Sequence, residues 1–177
     1  RMSPAGLIFT GTGVSSGLPL LGCALRLPTR PAGCQACVQA LRGGKTDPNW
    51  RGNVGALIRF HAGGVTRHVQ IDCGKTFRES VLRVYAQHSV TSLDALLLTH
   101  EHMDAVGGID DLRAFQPFSR PATSGGDHND AAPVDIRCIC DRRTLRRMQH
   151  MYPYLFPRKQ ALGAFTFAKR STDICRC

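Results

Sequence analysis

No apolar run in the 177 residues approaches the roughly 20 that a membrane-spanning helix requires, so a spanning protein is not expected. A continuous signal-peptide core is missing too. The stretch ahead of Leu20-Leu21-Gly22-Cys23, which imitates a lipoprotein cleavage site, is broken by Thr10, Gly11, Thr12, Gly13, Ser15, Ser16 and Pro19. There is no internal repeat, no second C-x-x-C to accompany Cys34-Gln35-Ala36-Cys37, and no histidine after His150. Acidic residues are few: 13 against 23 Lys and Arg, for a formal charge of +10. That balance favours anionic partners such as phosphates or nucleic acid, although an arginine-rich surface can also simply be solvated. Eight cysteines in a chain this long, with amphipathic segments and no signal peptide, read as reduced thiols or zinc ligands rather than a disulfide scaffold. A reducing, cytoplasmic location is expected, and the length suits one domain.

What is present alternates between strand and helix. Leu7 to Thr10 reads as a strand entering a glycine turn. Gly11, Gly13 and Gly17 nearly imitate a dinucleotide fingerprint, but the last interval is one residue too long and Pro19 stands where a helix should open. Cys23 to Asn53 is loop-like, with a helical turn around Cys37 to Leu41. Val54 to Phe60 and Arg67 to Asp72 flank Gly63-Gly64 as a hairpin. Lys75 to His88 carries Phe77, Val81 and Tyr85, with Leu82 beside them, on one face of an amphipathic helix. Ala95 to Leu98 is an all-apolar strand of the kind buried on both faces. Ile109 to Gln116 forms a short helix ending at Pro117, and Ser119 to Pro133, with His128, reads as a surface loop. Val134 to Cys140 returns to strand, and Asp141 caps a helix with Leu145, Met148 and Tyr152 on one side. Phe165 to Phe167 suits a further strand. The order implies a mixed sheet covered by helices, an α/β (α+β) fold.

Directly behind the buried strand comes Thr99-His100-Glu101-His102-Met103-Asp104. In extended backbone, alternate side chains point the same way, so His100, His102 and Asp104 share one side. Two imidazoles and a carboxylate suit Zn²⁺, Mn²⁺ or Fe²⁺, and a zinc with an open position lowers the pKa of its bound water to about 7. The bland alternative is a polar loop with ordinary histidines and acids.

The stretch Leu96 to Asp104 resembles the H-x-H-x-D-H signature of the metallo-β-lactamase superfamily, and Ile71-Asp72-Cys73-Gly74 resembles its strand-ending aspartate-glycine motif. Thr10 to Gly13 with Gly17-Leu18-Pro19, Cys34 to Cys37, Lys75 to Arg78 and Gly107 to Arg113 are similar to the branch of phosphoribosyl cyclic phosphate phosphodiesterases and its eukaryotic relatives. The resemblance implies a metallo-β-lactamase-like αββα sandwich, present here as its amino-terminal part, with 1–157 belonging to that domain and 158–177 a divergent or truncated end. It makes His100 and His102 ligands of a first metal and Asp104 a ligand of a second, with Asp104 and Asp72 in catalytic roles and Asp72 orienting the site. The signature departs at Ala105, where a histidine is usual, which puts a symmetric two-metal site in doubt.

The same resemblance implies a structural zinc on Cys23, Cys34 and Cys37, with a late histidine as fourth ligand. A redox pair or free thiols are the alternatives for C-x-x-C, and Cys138 and Cys140 read as strand residues. Asp110 and Asp111 suit charge-dipole roles near a helix start. Arg113 could meet a phosphate or an ion pair. The family's remaining ligands lie in its second half, so these residues alone are expected to hydrolyse cyclic phosphodiesters poorly and to self-associate.

Three functions therefore stand: a metal-dependent phosphodiesterase using a metal-activated hydroxide on a small phosphodiester, an inactive zinc-binding fragment or module, and an RNA-binding or RNA-processing nuclease relative. Arg142-Arg143 and Arg146-Arg147 are the residues that suggest RNA. No residue is assigned to substrate binding, and no membrane partner is expected.

Overall fold

The computed structural model describes residues 3–26, 34–115, 136–156 and 175–176. It contains a six-stranded mixed sheet in the order β1-β2-β3-β4-β5-β6. Strands β1 (Ser3–Gly11), β2 (Gly55–Ala62) and β3 (Val65–Ile71) are antiparallel; β4 (Ala95–Leu97) and β5 (Arg137–Cys140) continue parallel to β3; β6 (Cys175–Arg176) returns antiparallel. The expected α/β class is the one the chain adopts. Among the described residues no helix is long and apolar enough to cross a membrane.

The hairpin turns at Gly63-Gly64, whose φ values of 59° and 76° lie in the left-handed region. Glycine adopts that region without a Cβ penalty, and two such residues match the twist of the strands they join. Ala62 consequently faces Val65 in register. β1 sends Ile8 and Thr10 toward the core and leaves Leu7 and Phe9 exposed. This strand is thus apolar on both of its faces.

The core lies between the sheet and the helices. It joins Leu57, Leu96 and Cys138 from the strands to Phe77 and Tyr85, to Ile109 and Leu112, and to Met148 and Phe156. Tyr85 stands edge-on to Phe77 at 6.0 Å and to Phe115 at 5.7 Å. Its hydroxyl donates to Gln70 Oε1 at 2.7 Å, so the polar end of a buried ring is satisfied.

Several local expectations need correction. Cys23 to Asn53 is more helical than its Pro and Gly content indicates. Helix α1 covers Leu21–Arg26, α2 covers Gln35–Gly43, and a 3₁₀ turn follows at Gly44–Thr46. The helix after β3 begins as α3 (Phe77–Ser80) and continues as a π-helical turn over Val81–Tyr85. Phe77 and Tyr85 are buried, but Leu82 is 68% exposed, off the buried stripe. The short helix expected from Ile109 forms, as a 3₁₀ helix over Ile109–Phe115.

Helix α5 (Arg142–Met151) forms as expected. Its Asp141 cap accepts from Thr144 N at 2.7 Å, and Met148 faces the core. The loop and His128 expected in 119–133, the strand expected at 165–167, and most of 158–177 lie outside the described residues.

Candidate metal centre

β4 ends under the middle of the sheet, and the chain leaves it through Leu98 and Thr99 to the short helix α4 (Met103–Val106). His102 is extended, at φ −79° and ψ 161°, so it still belongs to the strand-like run that precedes α4. Asp104 sits in the first turn of the helix. This path brings one donor atom each from His100, His102 and Asp104 within 4.8 Å of one another. His100 Nε2 stands 3.4 Å from Asp104 Oδ1, and the two imidazoles meet edge-to-face with centroids 5.1 Å apart. Three alternating residues have become one cluster, half-buried and open to solvent at His102.

Asp72 is not part of that cluster. Its Oδ1 accepts from Thr99 N at 2.8 Å and its Oδ2 from Thr99 Oγ1 at 2.7 Å, while Thr99 Oγ1 lies 2.9 Å from His100 Nδ1. A hydroxyl has one proton, and an ionised carboxylate can only accept. Thr99 therefore gives its proton to Asp72 and accepts from His100, which places a hydrogen on Nδ1 and turns Nε2 toward Asp104. Asp72 thus reaches His100 through the Thr99 hydroxyl. Its backbone has φ 56°, an uncommon conformation for a non-glycine residue. Its N–H donates to Leu97 O and its carbonyl accepts from Gln70 Nε2, so both ends of the residue are fixed.

The backbone after Asp72 lies along the ligand loop. Cys73 N donates to Ala105 O, Lys75 N to Met103 O, and Gly108 N to Cys73 O, at 2.6, 3.2 and 2.8 Å. A Cβ on Gly74 would fall 2.0 Å from the Asp104 carbonyl oxygen. Glycine is required here for this close approach. Ala105 is fully buried in the core, so its position supplies packing and no ligand.

Glu101, between the histidines, pairs at 2.5 Å with Arg143 of α5. Arg143 also lines a cavity of about 940 Å³ with Arg146, Arg147 and His150, and His102 borders the same space. Asp110 holds Arg113 at 3.1 Å and accepts from Tyr154 Oη at 2.9 Å, while Asp111 pairs with Arg78 at 3.3 Å. Arg113 is thus found in an ion pair.

A second group of donors comes from α1, which carries Cys23, and from the start of α2, which Cys34 precedes and which carries Cys37. The thiols of Cys23, Cys34 and Cys37 are near enough to influence one another's ionisation, although among the described residues the donor atoms that converge as a ligand group are those of His100, His102 and Asp104. Cys34 precedes α2, and the backbone N–H of Cys37 together with the Cys37 thiol holds its pKa below the ordinary thiol value. Burial pushes Cys37 the other way, and Leu20 N points at its Sγ from 3.4 Å. Cys138 and Cys140 are buried strand residues, as expected.

The family model for the β-lactamase superfamily domain matches residues 67–172. The chain belongs to that superfamily. The match runs from β3 through the ligand loop and α5, and leaves β1, the Cys segment and β2 outside. A crystal structure described as a new diphosphatase from the PhnP family covers 99% of this chain at TM-score 0.59 and 22% identity, and this superfamily member spans 61% of its length. Zn²⁺-bound PqqB from Methylobacterium extorquens is similar over 62% of the chain and 36% of its own length, at TM-score 0.44 and 18% identity. An octanoyltransferase of Porphyromonas gingivalis (strain ATCC BAA-308 / W83) is 39% identical over 108 residues, 61% of this chain but only 18% of that protein.

Sequence reasoning located the three clustered side chains and Asp72. It missed Thr99, whose only signal was its place just before His100. The α5 residues Arg143, Arg146, Arg147 and His150, at i, i+3, i+4 and i+7, line one exposed cavity with His102.

Proposed function

We propose that this chain carries the metal-binding part of a phosphodiesterase, a hydrolase acting on a cyclic phosphate or related phosphodiester. The observation that carries the reading is the convergence of His100, His102 and Asp104 behind a buried strand, with the His100 tautomer set by Thr99 and Asp72. Two imidazoles, one of them turning its Nε2 toward the cluster, and a carboxylate form a donor set that fits Zn²⁺, and equally Mn²⁺ or Fe²⁺.

His100, His102 and Asp104 would hold the metal, which supplies Lewis acidity and a water activated at neutral pH. Thr99 and Asp72 keep His100 oriented, the kind of support whose loss costs roughly 10- to 100-fold in affinity or activity. Arg143, by holding Glu101, fixes the loop from the opposite side. Cys23, Cys34 and Cys37 are proposed to hold a structural zinc, because three thiols gathered at a helix start need one more ligand to close a tetrahedral site.

Similarity to a PhnP-family diphosphatase and the basic cavity beside His102 support phosphate chemistry. Acyl transfer, suggested by the name octanoyltransferase, is not preferred: the match covers 18% of that protein and would leave the clustered histidines without a role. Turnover of bis(4-nitrophenyl) phosphate by the 177 residues is expected to be low. It should stop with chelator, return with zinc or manganese, and vanish in His100→Ala with His102→Ala. Turnover indifferent to chelator and to both substitutions would refute the proposal.

A further inference from the structure

We infer that a cavity between α1, α2 and the π-helical turn, bordered by Trp50, Arg51 and Arg83, is a binding site for a small apolar carboxylate, a molecule with a hydrocarbon body and one anionic head. The cavity shares no residue with the His100–His102–Asp104 cluster, and the inference does not depend on the proposed hydrolysis.

The cavity has a volume of about 600 Å³. That lies within the range of about 300–1,000 Å³ typical of small-ligand sites, which are mostly apolar with a few placed polar groups. Its apolar wall joins Leu18 and Pro19, which follow the glycine turn, to Leu41 of α2, Trp50, and Leu82 of the π-helical turn. Leu82, exposed and off the core stripe, thus borders an apolar space of its own.

The walls are fixed to one another. Leu18 and Arg51 exchange both backbone hydrogen bonds, at 2.7 and 3.0 Å, which pins the segment holding Pro19 to the turn holding Trp50. Arg51 Nε donates to Pro48 O at 3.1 Å, and Arg83 Nη1 donates to Trp50 O at 3.5 Å. Two guanidiniums from distant parts of the chain are thereby anchored on the carbonyls of one turn. Each has five N–H donors, so most remain for a ligand.

Charge around the cavity is unbalanced. Lys45 and Glu79 on its lining answer each other at 3.8 Å. Among the described residues Arg51 and Arg83 have no ion-pair partner. A carboxylate accepts the parallel N–H bonds that a guanidinium presents, while the apolar wall takes a hydrocarbon body out of water. Together they select an amphipathic anion over a neutral or fully polar molecule. A nucleic-acid strand is not preferred, because Trp50 is the one aromatic among the described lining residues, and a strand is held by several stacked bases.

Trp50 is the single tryptophan of the chain, so its fluorescence reports on this cavity. The full chain is titrated with 4-phenylbutyrate, with 4-phenylbutanol, which lacks the charge, and with acetate, which lacks the body. Phenylbutyrate should change the emission and bind about tenfold or more tighter than the alcohol, the scale of a charged hydrogen bond; acetate should leave the emission unaltered at the same concentrations. Arg51→Ala with Arg83→Ala should bring phenylbutyrate down to the alcohol, and Arg51→Lys with Arg83→Lys should keep most of the difference. Leu82→Ser should weaken both probes by the same factor. All three side chains are exposed, so circular dichroism should be unaltered in each variant. No change in emission with either phenyl probe, or a preference for the carboxylate that persists in the alanine variant, overturns the site. Self-association abolished by Leu82→Ser, with no response to phenylbutyrate, also overturns it and assigns the cavity to a second copy of the chain.

Discussion

Thr99 has one hydroxyl proton, and the Asp72 carboxylate takes it, which makes the threonine an acceptor for His100. Thr99→Val keeps the shape and removes both bonds. It leaves one Asp72 oxygen without its partner, a loss of about 1–3 kcal/mol, and frees the His100 ring to rotate or change tautomer. Zinc affinity at the cluster should fall roughly 10- to 100-fold, while Thr99→Ser should restore it; equal affinities for all three proteins in a zinc titration would remove Thr99 from the relay. At this scale the sequence made the donors legible, because alternation in extended backbone is geometric. It left Thr99 illegible, because adjacency to His100 does not reveal where a hydroxyl proton goes. The role proposed for Asp72 came only through the resemblance, and what the structure adds is a pair of bonds from Thr99 to its carboxylate.

Helix α5 places the arginines, so what holds its first turn also holds the cavity wall. Asp141 accepts from Thr144 N, and this backbone bond holds the Asp141 carboxyl below its ordinary pKa. A depressed carboxylate pKa contributes stability that is fully present above the unfolded value near pH 4 and is lost as pH falls through the folded value. Asp141→Ala should therefore cost about 0.5–2 kcal/mol at neutral pH, and the gap from wild type should narrow as urea unfolding is repeated at increasingly acidic pH. A gap that is constant or widens in acid would show that the cap does not act through the ionised carboxylate. Elements with strong local signals were legible: Gly63-Gly64 dictates its hairpin, Ala95 to Leu98 its buried strand, and Asp141 its helix. Around Cys23 to Asn53, by contrast, Pro28, Pro31 and Gly33 hid α1 and α2, which lie on either side of those residues and are stabilised by contacts no local pattern records. Leu82 was misplaced because, five residues after Phe77, it lies outside the i, i+4, i+8 stripe of Phe77, Val81 and Tyr85.

Across the whole molecule two features oppose each other. A formal charge of +10 keeps copies apart, while β1 exposes Leu7 at 57% and Phe9 at 64% on one face, an apolar surface that favours association. Salt screens the first, with a Debye length of about 8 Å at physiological strength, and leaves the second intact. Light scattering should therefore show self-association growing with salt, and Leu7→Ser with Phe9→Ser should suppress it; association that weakens with salt would assign it to charge instead.

The most direct test of the account is metal content after dialysis against zinc, measured beside circular dichroism for the wild-type chain, Cys34→Ser with Cys37→Ser, and that variant carrying His100→Ala and His102→Ala as well. The cysteine substitutions should remove one equivalent and leave another, and the added histidine substitutions should remove the remainder with the fold retained. Zinc that stays in the fourfold variant at the level of the cysteine variant, in a folded protein, would contradict the claim that His100, His102 and Asp104 form a metal centre.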